Sequence, residues 1–265
     1  MNEATLYLKD GQSHAVCMPV GREFHDILQY MRVPADAAGR TLRLRAPAGP
    51  AIDVSAADIA SLEVSPPYVL IPDFLSEAEL EKVLTFTMAQ MNAFQSSGVH
   101  DARSQGDSAT AYRIHSLRVL DGPGNAVLAG LVMPKLQELV PNLWTQLRID
   151  LVRIKTLECQ VTAHGDGDFF ATHTDNGIPE IAYRQISYVH YFHREPKQFS
   201  GGHLRHYHTL FEDGYGKCGR LAADIDPPRN GLMIFPTFIY HELSPIGCTS
   251  SALADQRLTL NGWLF

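Results

Sequence analysis

A mainly β fold with flanking helices is the class this sequence predicts: a jelly roll over residues 66–265 behind a small α+β module over 1–65. Three observations predict it. From Leu147 onward the chain is mostly short apolar or β-branched runs separated by Gly, Pro and Asp turns, the mark of many short strands. The helical patterns, by contrast, all lie before Leu147. A set of histidine, aspartate and arginine residues borders the apolar runs at the places where a jelly-roll site would need them.

Residues 1–65 read differently from the rest. Thr5–Leu8 and Ala15–Met18 form short strand patterns around the turn Lys9-Asp10-Gly11-Gln12. Phe24, Ile27, Leu28 and Met31 have helical spacing, and Thr41–Leu44 alternates as a strand does. Val54–Asp58 begins a short helix. Ser65-Pro66-Pro67 then punctuates the chain, because two prolines remove backbone donors and fix an extended link. The segment reads equally as a separate module or as an elaboration packed on the main sheet. Further on, Ser76 with Glu79 makes a capping-box pattern. Leu80, Val83, Leu84, Thr87 and Met91 continue one face of the helix it starts, which should pack outside the jelly roll. Ser96–Thr110 is polar, contains Gly98 and Gly106, and reads as a loop closing over a site mouth. Tyr112–Leu120 reads as a strand. Asn125–Val140 reads as a second helical stretch that Pro134 should kink or divide.

Composition bounds the function. At 265 residues the chain can bury a sizeable core, and 45% apolar with 19% charged residues is ordinary for a soluble globular protein. A net charge of −7 with no long basic run argues against nucleic-acid binding by bulk electrostatics. Cys17, Cys159, Cys218 and Cys248 are widely spaced and include no C-x-x-C pair, which argues against a disulfide framework. No apolar run approaches membrane-spanning length, and no basic stretch leads into an apolar leader. The expectation is a reduced, soluble, cytoplasmic protein without a membrane or nucleic-acid partner.

His173 and Asp175 stand two apart within Phe169–Gly177, so on a strand they share one face. His241, 66 residues past Asp175, follows the apolar run Gly231–Tyr240 and reaches that face only if the intervening chain folds back. Two imidazoles and one carboxylate on one side of a metal leave the opposite positions open. That is the coordination of non-haem Fe(II) enzymes that activate O₂. Arg257, sixteen residues past His241, opens the last apolar run, Leu258–Phe265.

The segments G-D-F-F-A-T-H-T-D-N, R-Q-I-S-Y-V-H-Y-F-H, F-S-G-G-H-L-R-H-Y, N-G-L-M-I-F-P, then His241, then Q-R-L-T-L-N-G-W-L-F follow one another in a familiar order. From about Leu157 to Phe265 the chain resembles the prolyl-4-hydroxylase-like branch of the Fe(II)/2-oxoglutarate-dependent dioxygenases. The resemblance implies a double-stranded β-helix with Fe(II) held by His173, Asp175 and His241. It implies 2-oxoglutarate anchored at its far carboxylate by Arg257, with Tyr191 as hydroxyl donor to the same group. The activity implied is hydroxylation of an unactivated C–H bond in a peptide, a protein side chain or an amino-acid-like small molecule. O₂ is consumed, succinate and CO₂ are released, and ascorbate has a supporting role. Asp175 supplies the carboxylate that a related chlorinating subgroup lacks, so hydroxylation is the expected outcome.

Arginine suits the far carboxylate because it is permanently charged and pairs in a bidentate manner. Tyr191 shares a strand face with Ser187 and Val189, and Tyr188, His190 and Phe192 share the other. It reads as the cosubstrate donor or as a buried structural tyrosine. Asn261, with Thr259 and Trp263, lies on the face of Arg257 and is placed to add a hydrogen bond to the cosubstrate. His164 stands near where some relatives carry a tyrosine that contacts the cosubstrate. Arg113 and Ser116 resemble a strand whose polar residues face the site mouth in some relatives, and are the candidate substrate contacts; a solvated strand is the plainer reading. Eight of the twelve histidines fall between His164 and His241. Among them His193, His203, His206 and His208 suggest a competing reading, a cupin-like Zn or Ni site that does not use 2-oxoglutarate. That reading leaves Arg257 without a purpose. A third, a non-catalytic jelly-roll binding module, leaves the whole triad unexplained.

Overall fold

The computed structural model describes residues 3–96, 112–113, 115–117, 123–147, 149 and 154–265. Two antiparallel sheets make up the jelly roll. One runs, strand beside strand, through Val69–Ile71, Leu232–Pro236, Ile186–Tyr191, Arg257–Leu264, Leu157–His164, His115–Leu117 and Gln95–Ser96. The other runs through Ser13–Cys17, Glu3–Leu8, Ile59–Val64, Leu204–Glu212, His241–Leu243, Phe169–His173 and Tyr112–Arg113. Tyr215–Ile225 pairs with Leu204–Glu212 as well.

Period two decides what each strand offers to each side. In Ile186–Tyr191, Tyr188 faces the helices together with Ile186, and Phe192 just beyond joins them. Val189 and Tyr191 turn inward to meet Leu204, Met233, Phe235 and Ile239. The outer face of the first sheet is covered by the helices Glu77–Ala89 and Pro123–Leu147, whose Leu80, Val83, Leu128, Val132, Leu136 and Leu143 pack on Leu258 and Leu260. Each such side chain, fully buried, contributes about 1.5–3 kcal/mol.

The first helix starts where its sequence signal lies. Ser76 accepts from the Glu79 amide and Glu79 accepts from the Ser76 amide, a complete capping box. Leu80, Val83 and Thr87 form its buried stripe, whereas Met91 falls past its end and is exposed. The second helix is not divided: Pro123–Leu147 runs as one element through both Pro134 and Pro141. A proline inside a helix costs about 3 kcal/mol. Here the stripe Leu128, Val132, Leu136, Leu143 and Leu147 buries enough apolar surface to outweigh that.

The N-terminal strands and the helix Gly21–Arg32 lie where the sequence places them. Val54 differs, since it belongs to the strand Ile52–Ser55, and only Ala56–Asp58 forms a helical turn. The strand Ile59–Val64 is one the sequence reading did not anticipate. It pairs through Ser61–Val64 with Thr209–Glu212, so the second sheet runs without a break from the N-terminal segment into the jelly roll. Ala4, Leu6, Val16, Ile27, Leu44 and Leu62 form a separate cluster, which also takes in Phe211. Tyr112–Leu120 appears as Tyr112–Arg113 and His115–Leu117, the intervening and following residues lying outside the described set. So does the loop expected to close the site mouth, beyond Ser96. Among the described residues no helix is long and apolar enough to cross a membrane.

Candidate active site

His173 ends the strand Phe169–His173 and His241 begins the strand His241–Leu243, and the two residues are direct partners across the sheet. That pairing answers how a histidine so far along the chain reaches the His-x-Asp face. Asp175 follows His173 in the turn and is fixed from two sides. Its amide donates to the Thr237 carbonyl at 2.9 Å. Its Oδ2 accepts a short hydrogen bond from Ser187 Oγ. Asp175 Oδ1 lies 3.5 Å from His173 Nε2, and Oδ2 lies 3.6 Å from His241 Nε2. One ligand atom from each residue falls within 4.8 Å of the others, a set able to hold a metal ion.

Both imidazoles are oriented by the backbone two residues before them. His173 Nδ1 is 2.8 Å from the Ala171 carbonyl, and His241 Nδ1 is 2.9 Å from the Ile239 carbonyl. A carbonyl only accepts, so each ring carries its proton on Nδ1 and presents the Nε2 lone pair to the others. Burial pushes the His241 pKa down to about 4, with His173 adding to the shift, so that ring is neutral near pH 7. Burial works against ionisation of Asp175, but His241, His173 and Ser187 together outweigh it and hold the carboxyl well below its ordinary range. A neutral His241 and an ionised Asp175 are the protonation states a divalent cation requires.

Arg257 is buried at the start of the strand Arg257–Leu264, 3% exposed. Its Nε donates to the Gly202 carbonyl at 2.8 Å, and its guanidinium sits 5.1 Å from the Tyr191 ring centre. Gly202 makes this possible, because a Cβ there would come within 2.7 Å of Arg257 Cδ, and its φ of +67° suits glycine. Among the described residues no carboxylate pairs with Arg257. The Tyr191 hydroxyl is buried beside it and interacts with the guanidinium. A buried cation without a counter-ion is costly, so the pair is built to receive an anion.

Asn261 is held on the same strand, its Oδ1 accepting from Thr162 Oγ1 at 2.7 Å, which leaves its amide nitrogen as the group it offers. His164 sits directly opposite Arg257 across the sheet. The backbones of Arg113 and Ser116 lie on the strands bordering Phe169–His173 and Leu157–His164, and their side chains lie outside the described set. His203 is drawn to the surface by Asp224, its Nδ1 2.9 Å from Oδ1, and His208 lies 3.5 Å from Glu63. Neither joins the triad.

Two residues escaped the sequence reading. Ser187 carried a signal, since it shares a face with Tyr191. Arg184 carried none: its guanidinium stacks 3.4 Å over Trp263 while pairing with Glu158, and this contact exists only because the turn before Ile186 folds back on the last strand.

Residues 159–265 match the model of the 2OG-Fe(II) oxygenase superfamily. An uncharacterised PKHD-type hydroxylase of Synechocystis sp. is 31% identical over 197 residues, which are 74% of this chain; the chain spans 62% of that relative's length. A prolyl-4-hydroxylase of Pseudomonas putida shares the fold at a TM-score of 0.53 and 19% identity, over 75% of this chain and 92% of that one. A prolyl hydroxylase of Trichoplax adhaerens, solved with a hypoxia-inducible-factor peptide fragment, does so at 0.55 and 18%, over 76% and 84%.

Proposed function

We propose that this chain is an Fe(II)- and 2-oxoglutarate-dependent hydroxylase, because residues 159–265 match the model of the 2OG-Fe(II) oxygenase superfamily and the fold is shared with prolyl hydroxylases. Its substrate is an unactivated C–H bond of a peptide, a protein side chain or an amino-acid-like small molecule. The peptide carried by the Trichoplax neighbour favours the first two. The observation that carries the reading is the buried Arg257, which has no carboxylate partner among the described residues, in the same fold as the His173–Asp175–His241 set. A metal-binding triad alone fits several chemistries. A triad with an anion receptor in the same fold fits a metal that shares its site with a dicarboxylate.

Iron bound by these residues would supply, together with O₂, the oxidising power for the C–H bond, 2-oxoglutarate giving two electrons and leaving as succinate and CO₂. This chain's residues do the rest. His173 and His241 present lone pairs already aimed by the Ala171 and Ile239 carbonyls, and Asp175 presents a carboxylate clamped by Ser187 and Thr237. Arg257 and Tyr191 hold the far carboxylate of the cosubstrate, and the Asn261 amide lies on the same strand face. Leu204, Met233, Phe235 and Ile239 pack beside Tyr191, and an apolar surrounding of this kind strengthens a charged contact. The test is direct. Purified protein supplied with Fe(II), 2-oxoglutarate and air should form succinate slowly even without substrate, and His173→Ala or His241→Ala should abolish this. Undiminished succinate formation in either variant would mean the triad is misassigned. Metal-dependent activity that ignores 2-oxoglutarate would favour a cupin-like enzyme.

A further inference from the structure

One polar side chain inside the barrel is left without work. His206 is 0% exposed and is the cross-strand partner of His241. By period two it shares the inward face with Leu204, and its ring lies 4.6 Å from Phe235, 6.2 Å from His241 and 5.5 Å from Tyr68. Neither of its ring nitrogens has a hydrogen-bond partner among the described residues. Other histidines of this region do better: His203 has Asp224, and His190 has Asn230 at 3.1 Å. His206 is not a fourth ligand either, because its nitrogens fall outside the set that clusters within 4.8 Å.

A neutral imidazole always carries one N–H donor and one lone pair. Burying both unmet is costly, and a leucine or isoleucine would fill the same inward position without that cost. Tyr191 is also a buried polar residue of the interior, but its hydroxyl has the neighbouring Arg257 to interact with. For His206 the neighbour is the metal-binding set itself. We propose that His206 is a further cosubstrate-binding residue, donating a hydrogen bond to the carboxylate oxygen of 2-oxoglutarate that lies at the metal. This rests on the Fe(II)/2-oxoglutarate reading of the site. An N–H aimed at an anionic oxygen in a dry interior makes a charge-assisted bond, the kind that repays burial of the ring.

The test uses the full chain with Mn(II), which binds such sites without turnover, and reads three quantities: Mn(II) affinity, 2-oxoglutarate affinity of the Mn(II) form, and the melting temperature of the metal-free protein. His206→Leu should leave Mn(II) affinity within about twofold and the metal-free melting temperature equal or higher, while 2-oxoglutarate affinity falls roughly tenfold or more. His206→Gln, which keeps an N–H donor, should recover most of that loss. Should the leucine variant not fold, His206→Phe keeps a ring without nitrogens and gives the same reading. Wild-type 2-oxoglutarate affinity in a folded Leu or Phe variant overturns the proposal and leaves His206 as packing. Failure of wild-type protein to bind 2-oxoglutarate with Mn(II) would overturn both this and the reading it rests on.

Discussion

Arg257 concentrates more consequence than any other single residue outside the triad. It is buried, its Nε is spent on the Gly202 carbonyl, and no carboxylate among the described residues neutralises it. Arg257→Ala should therefore lower 2-oxoglutarate affinity well over tenfold, since removing one partner of a buried charge pair costs roughly 2–5 kcal/mol. Mn(II) affinity should survive, because the arginine is not among the triad's contacts. Paired metal and cosubstrate titrations decide it, and an unchanged 2-oxoglutarate affinity would make the arginine structural. Arg257→Lys should rescue little, because an ammonium cannot reproduce the planar fork held between Gly202 and Tyr191.

At the scale of elements, the capping box of the helix Glu77–Ala89 is a purely local device. Ser76→Ala should cost about 1 kcal/mol of stability, seen as a lower melting temperature, with metal and 2-oxoglutarate affinities untouched. A shift in either affinity would mean that this helix end is coupled to the site. The strand Leu204–Glu212 works the other way, through distant partners. It pairs with His241–Leu243 over Leu204–His206 and with Ile59–Val64 over Thr209–Glu212, while its pairing with Tyr215–Ile225 shifts register between those two stretches. One strand thus ties the N-terminal segment to the strand that carries His241.

For the whole molecule, buried neutral histidines set the response to acid. Burial pushes His190 down to about 4, and burial with help from Lys197 does the same to His193. In this window the unfolded chain takes up protons that the folded chain refuses. The stability these two contribute is therefore complete above about pH 6.5 and is lost as pH falls toward 4. Each should add a slope of up to roughly 1.4 kcal/mol per pH unit across that window. His190→Gln should flatten the denaturant midpoint between pH 6.5 and 4 by one histidine's share; an unaltered slope would place the acid sensitivity elsewhere. We also propose that 1–65 is a module distinct from the catalytic domain at 66–265, since every candidate ligand lies after Leu157. Removing it uncovers the edge of Thr209–Glu212 and the Phe211 side chain. The shortened chain should bind Mn(II) and 2-oxoglutarate yet self-associate on size exclusion, and loss of both affinities would make 1–65 part of the catalytic fold.

By itself the sequence determined what is local. The capping box at Ser76, the facing of Tyr191 against Tyr188, and the shared face of Arg257, Thr259 and Asn261 follow from periods of 3.6 and 2 that a few residues fix. The motif order within 157–265 carried the resemblance to the 2OG-Fe(II) oxygenases, and the match of residues 159–265 to that family's model agrees with it. What the tertiary structure decided is everything that depends on a partner far along the chain. Ile59–Val64 became a strand because Leu204–Glu212 offers it an edge, and Pro134 stayed inside a helix because a buried stripe outweighs a lost hydrogen bond. Ser187 became the clamp on Asp175, and Arg184 came to lie on Trp263, through turns whose geometry no spacing encodes. Above all, only the folded barrel tells which of the clustered histidines converge with Asp175, which is a surface ion-pair partner and which, like His206, is buried with both nitrogens unmet among the described residues. Those distinctions are set by burial and by long-range pairing, and neither is a property of a short stretch of sequence.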